Sequence, residues 1–120
     1  MANQVQTIKN INPTTGILLI AGIALPSVAP ATPQFKARKL TKITWYQFNN
    51  TDASARTVTV HAIPAGGSAS VATRIMDISI AAGAQYGTAS SEVILPGYTL
   101  QITASAANVV RASVSGEVNT

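Results

Sequence analysis

The sequence predicts an all-β protein: an antiparallel β-sandwich, jelly-roll-like, with seven or eight strands and an extended N-terminal arm. Its 120 residues are rich in Ala, Ser, Thr, Val, Ile and Gly and poor in the Lys, Glu, Leu and Arg that build amphipathic helices. From residue 36 onwards, short segments of alternating polar and apolar residues are separated by turn-forming clusters about every ten to fifteen residues. No apolar stripe with a helical period is sustained along the chain.

The N-terminal part differs in composition from the rest. We expect residues 1–35 to form an arm and residues 36–120 to form the β-sandwich domain. The arm begins with residues rich in Asn, Gln and Thr, and Pro26, Pro30 and Pro33 exclude a helix and favour extended backbone in a Pro-rich linker. Residues 17–25 are almost entirely apolar, which predicts a strand inside the arm.

The same apolar run has a second interpretation as a signal peptide. Ser27-Val28-Ala29 imitates a small-residue cleavage site, whereas Pro30 directly after the supposed cut argues against cleavage. The run is about half as long as a membrane-spanning helix requires. We therefore favour either a buried strand or an arm whose apolar side chains adhere to another surface. We expect no membrane partner.

The first strands of the sandwich domain are predicted at residues 40–48 and 56–63. In the first, Ile43 and Trp45 share one face while Tyr46 and Phe48 share the other. The sequence NNTD at residues 49–52 then favours a turn. Residues 56–63 alternate most regularly, with Val58, Val60 and Ala62 expected inward and Thr57, Thr59, His61 and Ile63 expected outward.

The later strands follow the same pattern. Residues 71–80 predict a strand, and residues 68–76 can form no more than one helical turn. Weaker segments at 85–91 and 92–95 precede Pro96-Gly97, which predicts a type II turn. The strands at residues 99–104 and 109–118 are expected to bury Leu100, Ile102, Ala104, Val110, Ala112 and Val114.

The inventory of reactive side chains excludes most catalytic chemistry. The chain has one His, no Cys and four carboxylates, which are scattered along the sequence. Zinc sites need several Cys or His ligands, and nucleophilic catalysis needs a paired base. His61 stands alone, so it would hold a metal only if a three-fold axis gathered three copies. We expect no catalytic residue, no cofactor and no metal, and hence no enzyme.

Positive charge is concentrated in one short segment. Lys36, Arg38, Lys39 and Lys42 are four of the eight basic residues behind a formal net charge of +4. Nucleic-acid binding would need aromatic side chains interleaved with the cations, and Trp45 follows the cluster instead. We therefore do not expect direct nucleic-acid binding. Two interpretations stay open: a solvated strand edge or a surface that docks onto an acidic protein.

Four segments, taken in order, resemble a known family. They are residues 49–61 (NNTDASARTVTVH), 63–69 (IPAGGSA), 80–83 (IAAG) and 111–116 (RASVSG). In this order the segments resemble small all-β virion proteins of tailed bacteriophages, with the likeness covering residues 36–118.

The resemblance implies a capsid decoration, or cement, protein that bridges major capsid proteins on the capsid surface after assembly in the host cytoplasm. It also implies a homotrimer. Capsid contact is then expected at Lys36, Arg38, Lys39 and Lys42, and subunit contact at Tyr46, His61, Ile63 and Val109. Two alternatives stay open. One is a neck, head-fibre or tail protein of the same fold, and the other is an exported carbohydrate-binding module with a sugar-stacking platform at Trp45 and Tyr46.

Overall fold

A computed structural model describes residues 17–30 and 32–119. Within these residues, nine strands form two antiparallel sheets, which confirms the predicted all-β class. The first sheet contains β1 (Ile17–Ala24), β3 (Thr41–Asn50), β6 (Gln85–Ala89), β7 (Val93–Ile94) and β9 (Val110–Val118). The second contains β2 (Phe35–Lys36), β4 (Arg56–Ile63), β5 (Arg74–Ile80) and β8 (Thr99–Ala104). The strand that the sequence did not predict is β2, which is only two residues long.

The strands pair as a nested series. β1 pairs with β9, β2 with β8, β3 with β6 and β4 with β5. This nesting arises when one long antiparallel ribbon rolls up so that successive pairs fall alternately in the first and second sheets. Rolling also brings β9 beside β3 and β8 beside β4, which gives the orders β1-β9-β3-β6 and β2-β8-β4-β5. The arrangement is a jelly roll, and the predicted sandwich is confirmed.

One apolar core lies between the two sheets. The six residues predicted to face inward from β8 and β9 are all buried, in the same cluster as Val58 and Val60 of β4. Each fully buried Val, Leu or Ile contributes about 1.5–3 kcal/mol relative to exposure. The alternation in these three strands therefore supplies much of the free energy that holds the sheets together.

Strand β3 departs from the predicted alternation at Thr44. Ile43 pairs with Gly116 and Trp45 pairs with Ser115, so Thr44 is an extra residue that forms a β-bulge. The bulge turns the following side chains to the opposite face: Ile43 and Tyr46 are both buried, whereas Trp45 is exposed. The prediction that Ile43 and Trp45 share a face is wrong, because it assumed an unbroken register.

Among the described strands, β1 lies at the edge of the first sheet. The predicted strand at residues 17–25 is present, and it pairs with β9 along its length with two irregularities in register. Ile20 and Leu25 are buried in the core, and the backbone N–H of Leu25 donates to the carbonyl of Val110 (2.9 Å). Residues 17–25 are thus part of the sandwich, not of an arm outside it, because their apolar side chains complete the core. Residues 1–16 of the predicted arm lie outside the described residues.

The outward face of β4 is covered near Ile63. Ile63 pairs with Thr99, on the outward face as predicted, yet it is only 6% exposed. The connection from β4 to β5 contains a 3-10 helical turn at Val71–Thr73, so β5 begins at Arg74 and not at residue 71 as predicted. This connection folds back onto the sheet, where the Nδ1 atom of His61 and the Oγ1 atom of Thr73 are 3.0 Å apart and share a hydrogen bond.

The predicted turn at residues 49–52 is built around the buried side chain of Asn50. Its Nδ2 atom donates to the carbonyl oxygens of Ser54 and Ile80, both at 3.0 Å. Its Oδ1 atom accepts from the backbone N–H of Asp52 at 3.0 Å. A buried amide is stable only with such partners, so Asn50 ties the β3–β4 connection to the end of β5.

Asp52 and Arg56 complete this turn. The Asp52 carboxylate accepts hydrogen bonds from Nε of Arg56 (2.6 Å) and from the backbone N–H of Ala53 (2.8 Å). The bond from Arg56, followed by the bond from Ala53, holds the pKa of Asp52 below its ordinary value. Both bonds favour the charged form of the carboxyl group.

Gly116 lies opposite the bulge, where β9 approaches β3 most closely. A Cβ atom at this position would lie 2.5 Å from the carbonyl oxygen of Lys42 and 2.8 Å from Cδ1 of Leu19. Leu19 belongs to β1 and Lys42 to β3. Three strands of the first sheet therefore meet at a point that only glycine fits.

We expect Gly116→Ala to lower the free energy of unfolding by about 1–3 kcal/mol, because the new methyl group overlaps backbone that cannot move without disturbing the sheet. Urea unfolding followed by circular dichroism measures the change. Ser115→Ala, on the outward face of the same strand, is the matched control and should change stability by no more than about 0.5 kcal/mol. Equal effects of the two substitutions would contradict the close approach at Gly116.

We also expect the Asp52–Arg56 interaction to make stability depend on pH in the acidic range. The pKa of Asp52 is lowered in the folded chain from an unfolded value of about 3.9. Its contribution is therefore fully present above that value and is lost as pH falls through the lowered pKa. The stability difference between the wild type and Asp52→Asn should be constant at neutral pH and should shrink below about pH 4.

Urea midpoints measured from pH 7 to pH 2 check this expectation. Asp77→Asn makes the same charge change at a longer ion pair, in which Arg74 Nη1 lies 3.7 Å from Asp77 Oδ2. It is the control for the loss of one negative charge elsewhere on the surface. A difference between the wild type and Asp52→Asn that persists unchanged to pH 2 would disprove the role of Asp52.

Candidate functional site

The basic segment lies where the chain crosses from the second sheet to the first, between β2 and β3. Ala37 is fully buried in the middle of the crossing. Its backbone N–H donates to the carbonyl of Tyr98 (2.9 Å), and its carbonyl accepts from the N–H of Gly97 (2.8 Å). Gly97 has a φ of +90°, and the N–H of Tyr98 donates to the carbonyl of Leu95 (3.0 Å), which confirms the predicted type II turn. The crossing is thereby held rigidly against the β7–β8 turn.

Three of the predicted capsid-contact residues surround one open groove. Lys36, Arg38 and Lys39 line it together with Phe35, Thr41 and Val118, and the groove has a volume of about 330 Å³. Phe35 is half-buried and packs against the core, Thr41 is buried and Val118 is half-buried. The groove therefore combines an apolar floor with a cationic rim.

Hydrogen bonds hold the far side of the groove in place. The hydroxyl of Thr41 donates to the carbonyl of Lys39 (2.9 Å), and the N–H of Asn119 donates to the carbonyl of Leu40 (2.9 Å). Thr41 and Val118 are also direct partners in the pairing of β3 with β9. Thr41 and Val118 thus belong to the hydrogen-bonded framework of the first sheet, whereas Phe35 belongs to the second sheet.

The groove keeps its positive charge uncompensated. In residues 17–30 and 32–119, the two ion pairs are Asp52–Arg56 and Arg74–Asp77, and neither involves the groove. The side chains of Lys36, Arg38 and Lys39 are exposed to solvent. An anionic group entering the groove would meet three cations that have no carboxylate partner in the described part of the chain.

Lys42, the fourth predicted capsid-contact residue, lies apart from the other three. It is exposed on the outward face of the first sheet, where it pairs with Glu117 of β9 and Val93 of β7. The structure thus divides the basic segment into a groove group of three residues and one cation on another surface.

The predicted subunit-contact residues are only partly available at the surface. Tyr46 is 1% exposed and stacks on Phe48 with ring centroids 6.0 Å apart. Its expected position at the surface is wrong, because the bulge at Thr44 turns its side chain into the core. Ile63 is buried as described above. His61 and Val109 are half-buried, and Val109 packs against the core.

The buried hydroxyl of Tyr46 has no hydrogen-bond partner among the described residues. Burial raises the pKa of Tyr46 above its ordinary value, and the nearby negative charge of Glu92 adds to this. Tyr46 therefore stays protonated and contributes to the core. It does not form a sugar platform with Trp45.

A second surface feature is Trp45 on the outward face of the first sheet, where it is 41% exposed. Its Nε1 donates to Oε1 of Gln47 at 3.1 Å. A Cβ atom at Gly87, on β6, would lie 2.6 Å from Cζ2 of Trp45, so the indole lies directly against the glycine. The paired residues around it are small and uncharged: Ala89 and Ser115 beside Trp45, and Gly87 and Ser113 beside Gln47.

The sequence analysis did not predict the apolar floor of the groove. Its only local indication is Phe35, an aromatic residue that directly precedes the basic segment. Thr41 and Val118 lie 77 positions apart and meet because β3 pairs with β9. Local patterning carries no information about such a pairing.

Residues 17–30 and 32–119 contain no group of three His, Asp or Glu side chains placed to hold a metal ion. They contain no helix with the length and hydropathy needed to cross a membrane. No family model, curated protein or solved structure matches the chain.

Proposed function

We propose that the chain is a non-enzymatic virion structural protein that decorates and stabilises the capsid of a tailed bacteriophage by bridging major capsid proteins. The observation that carries the proposal is the groove, in which Lys36, Arg38 and Lys39 form an exposed cationic rim on a rigid crossing. Such a rim favours an acidic protein surface by electrostatic complementarity. Localisation at the capsid surface and assembly as a homotrimer are parts of the same proposal.

The jelly-roll body supports a structural role. A decoration protein must stay folded on an exposed particle and must hold its neighbours by surface contact, without needing reactive groups. The core between the two sheets supplies the stability, and the resemblance to phage virion proteins rests on segments that the fold uses at its turns and close approaches. Gly83 has a φ of +69° between β5 and β6, and Gly116 leaves room for β3.

Repeated copies on one particle would compensate for modest single contacts. Each exposed ion pair contributes only about 0.2–1 kcal/mol. When several grooves bind one shell at once, the later binding events become effectively intramolecular and the overall affinity rises. A neck, head-fibre or tail position uses the same contacts at a lower copy number, so counting copies per particle separates these positions from decoration.

We expect neutralising the groove to weaken capsid binding. The groove variant Arg38→Gln/Lys39→Gln should bind capsids assembled from the co-encoded major capsid protein about ten-fold more weakly, since it removes two of the three rim charges. Co-sedimentation over a range of protein concentrations and of salt measures this.

The control variant Lys42→Gln/Arg111→Gln removes the same net charge from the outward face of the first sheet. It should bind capsids like the wild type. If both variants bind equally well, the groove is not the docking site, and if the wild type does not bind capsids at all, the decoration role is wrong.

Trp45 favours a second candidate function, the binding of neutral carbohydrate. Its indole is held by Gln47 and lies against Gly87, and the residue remains 41% exposed to solvent. Sugar rings stack on such faces, and the amide and hydroxyl groups nearby can bond to sugar hydroxyls. This surface differs from the groove because the residues paired with Trp45, which are Ala89 and Ser115, are uncharged.

Trp45 is the single tryptophan, so its fluorescence reports directly on this surface. On titration with maltohexaose, cellohexaose or mannohexaose, a binding sugar should change the emission. Calorimetry should then show that Trp45→Ala weakens binding by about ten-fold or more. Tyr86→Ala is the control. Tyr86 is also partly exposed, but it pairs with the inward-facing Phe48 and so lies on the opposite face of the sheet from Trp45. No response at millimolar sugar would rule out these three glycans as ligands.

A further inference from the structure

We propose that the groove between β2 and the β3–β9 pair binds an extended acidic peptide segment, with one apolar side chain on the floor and carboxylates against Lys36, Arg38 and Lys39. The inference rests on the proposed function in one respect: in the virion, the segment would belong to the capsid protein. It goes further by naming the chemistry of the ligand, which is a flexible segment and not a flat protein face.

The floor of the groove argues for an apolar anchor. Phe35 and Val118 leave part of their apolar surface open there, although both also contact the body of the protein. The volume of about 330 Å³ lies at the lower end of the range for binding sites, roughly 300–1,000 Å³. It suits a side chain with its neighbouring peptide units. A ligand made only of anionic groups would leave this apolar surface uncovered.

The rim argues for carboxylates on either side of the anchor. Lys36 and Arg38 flank the buried Ala37, and Lys39 follows directly, so three cations lie on a short stretch of backbone that is fixed at its centre. Arg38 can bind a carboxylate through two parallel N–H groups, while the lysines act as compact point charges. Because the backbone of the groove is already ordered, the conformational entropy lost on binding comes from the rim side chains and from the flexible ligand.

The edge of the second sheet argues for an extended ligand. Among the strands of residues 17–30 and 32–119, β2 is terminal in its sheet and pairs with β8 alone. The side chain of Gln34 continues this pairing, since its Nε2 donates to the carbonyl of Ile102 (2.7 Å) and its Oε1 accepts from the Ile102 N–H (3.1 Å). The opposite edge of β2 faces away from β8 and can accept backbone hydrogen bonds from an added strand. A lysine on such an edge discourages pairing with most strands, but it attracts an acidic strand by its charge.

A nucleic acid fits the groove less well than a peptide. Single strands bind along tracks of cations with several aromatic side chains on which successive bases stack. Phe35 is the single aromatic residue of the groove, and Trp45 lies on the outward face of the first sheet. Arg56 in β4 and Arg74 in β5 do not line the groove, and each forms an ion pair with an aspartate.

The test uses the full chain and a labelled peptide in solution. The probe is a fluorescein-labelled ten-residue peptide in a serine-glycine background, with a central leucine flanked by two glutamates on each side, and its binding is followed by fluorescence anisotropy. We expect saturable binding at low salt that weakens as salt is added. Replacing the leucine by serine should weaken binding by about ten-fold, and replacing the four glutamates by glutamines should abolish it.

The same two protein variants separate the groove from general charge. The groove variant should bind the probe at least about five-fold more weakly than the wild type, and the control variant of equal net charge should bind like the wild type. Circular dichroism confirms that both are folded. An oligothymidylate with the same number of charges serves as the competing anion and should bind less tightly than the peptide.

Three results would overturn the proposal: equal binding of the leucine and serine peptides, equal weakening by the two variants, or tighter binding of the oligothymidylate. These failures are distinguishable from failure of the decoration role. A protein that co-sediments with capsids but does not bind the peptide keeps its proposed function and loses this mode of docking. A protein that binds the peptide through the groove but ignores capsids keeps the groove assignment and loses the capsid role.

Discussion

The pairing of β3 with β9 is the interaction on which the rest of the structure depends. β9 lies between β1 and β3, and β3 in turn carries β6 and β7 on its other side. The two strands approach most closely at Gly116, opposite the bulge at Thr44. Because side chains alternate strictly along a strand, this one extra residue decides which of Ile43, Trp45 and Tyr46 enter the core.

The same pairing creates both candidate surfaces. Thr41 and Val118 are opposite each other in the register, so the ends of β3 and β9 form one side of the groove, and Phe35 reaches it from the other sheet. The bulge meanwhile places Trp45 outward against Gly87 of β6. One constraint thus yields a charged groove and a neutral aromatic face, which differ in the ligands they favour: acidic peptides for the first and uncharged sugars for the second.

Much of the fold was predictable because the core strands follow simple alternation. The inward residues of β8 and β9 and the type II turn before Tyr98 depend on local sequence, and both were predicted. The errors have a common origin in contacts between distant segments. Tyr46 is inward because of a bulge against β9, and residues 17–25 join the sandwich because β1 pairs with β9. Ile63 is buried although it lies on the outward face of β4. Of the candidate site, the cationic rim was visible in the sequence and the apolar floor was not.

The amino-acid sequence by itself determined the all-β class, the faces of the regular strands, the glycine turns and the position of the basic segment, because each follows from neighbouring residues. The tertiary structure alone decided that Lys36, Arg38 and Lys39 share a groove while Lys42 does not. It also decided that Trp45 is exposed while Tyr46 is buried. The physical reason is that these outcomes depend on the register between strands far apart in the chain. That register is set by the close approach at Gly116 and the packing of the two sheets, which no local pattern encodes.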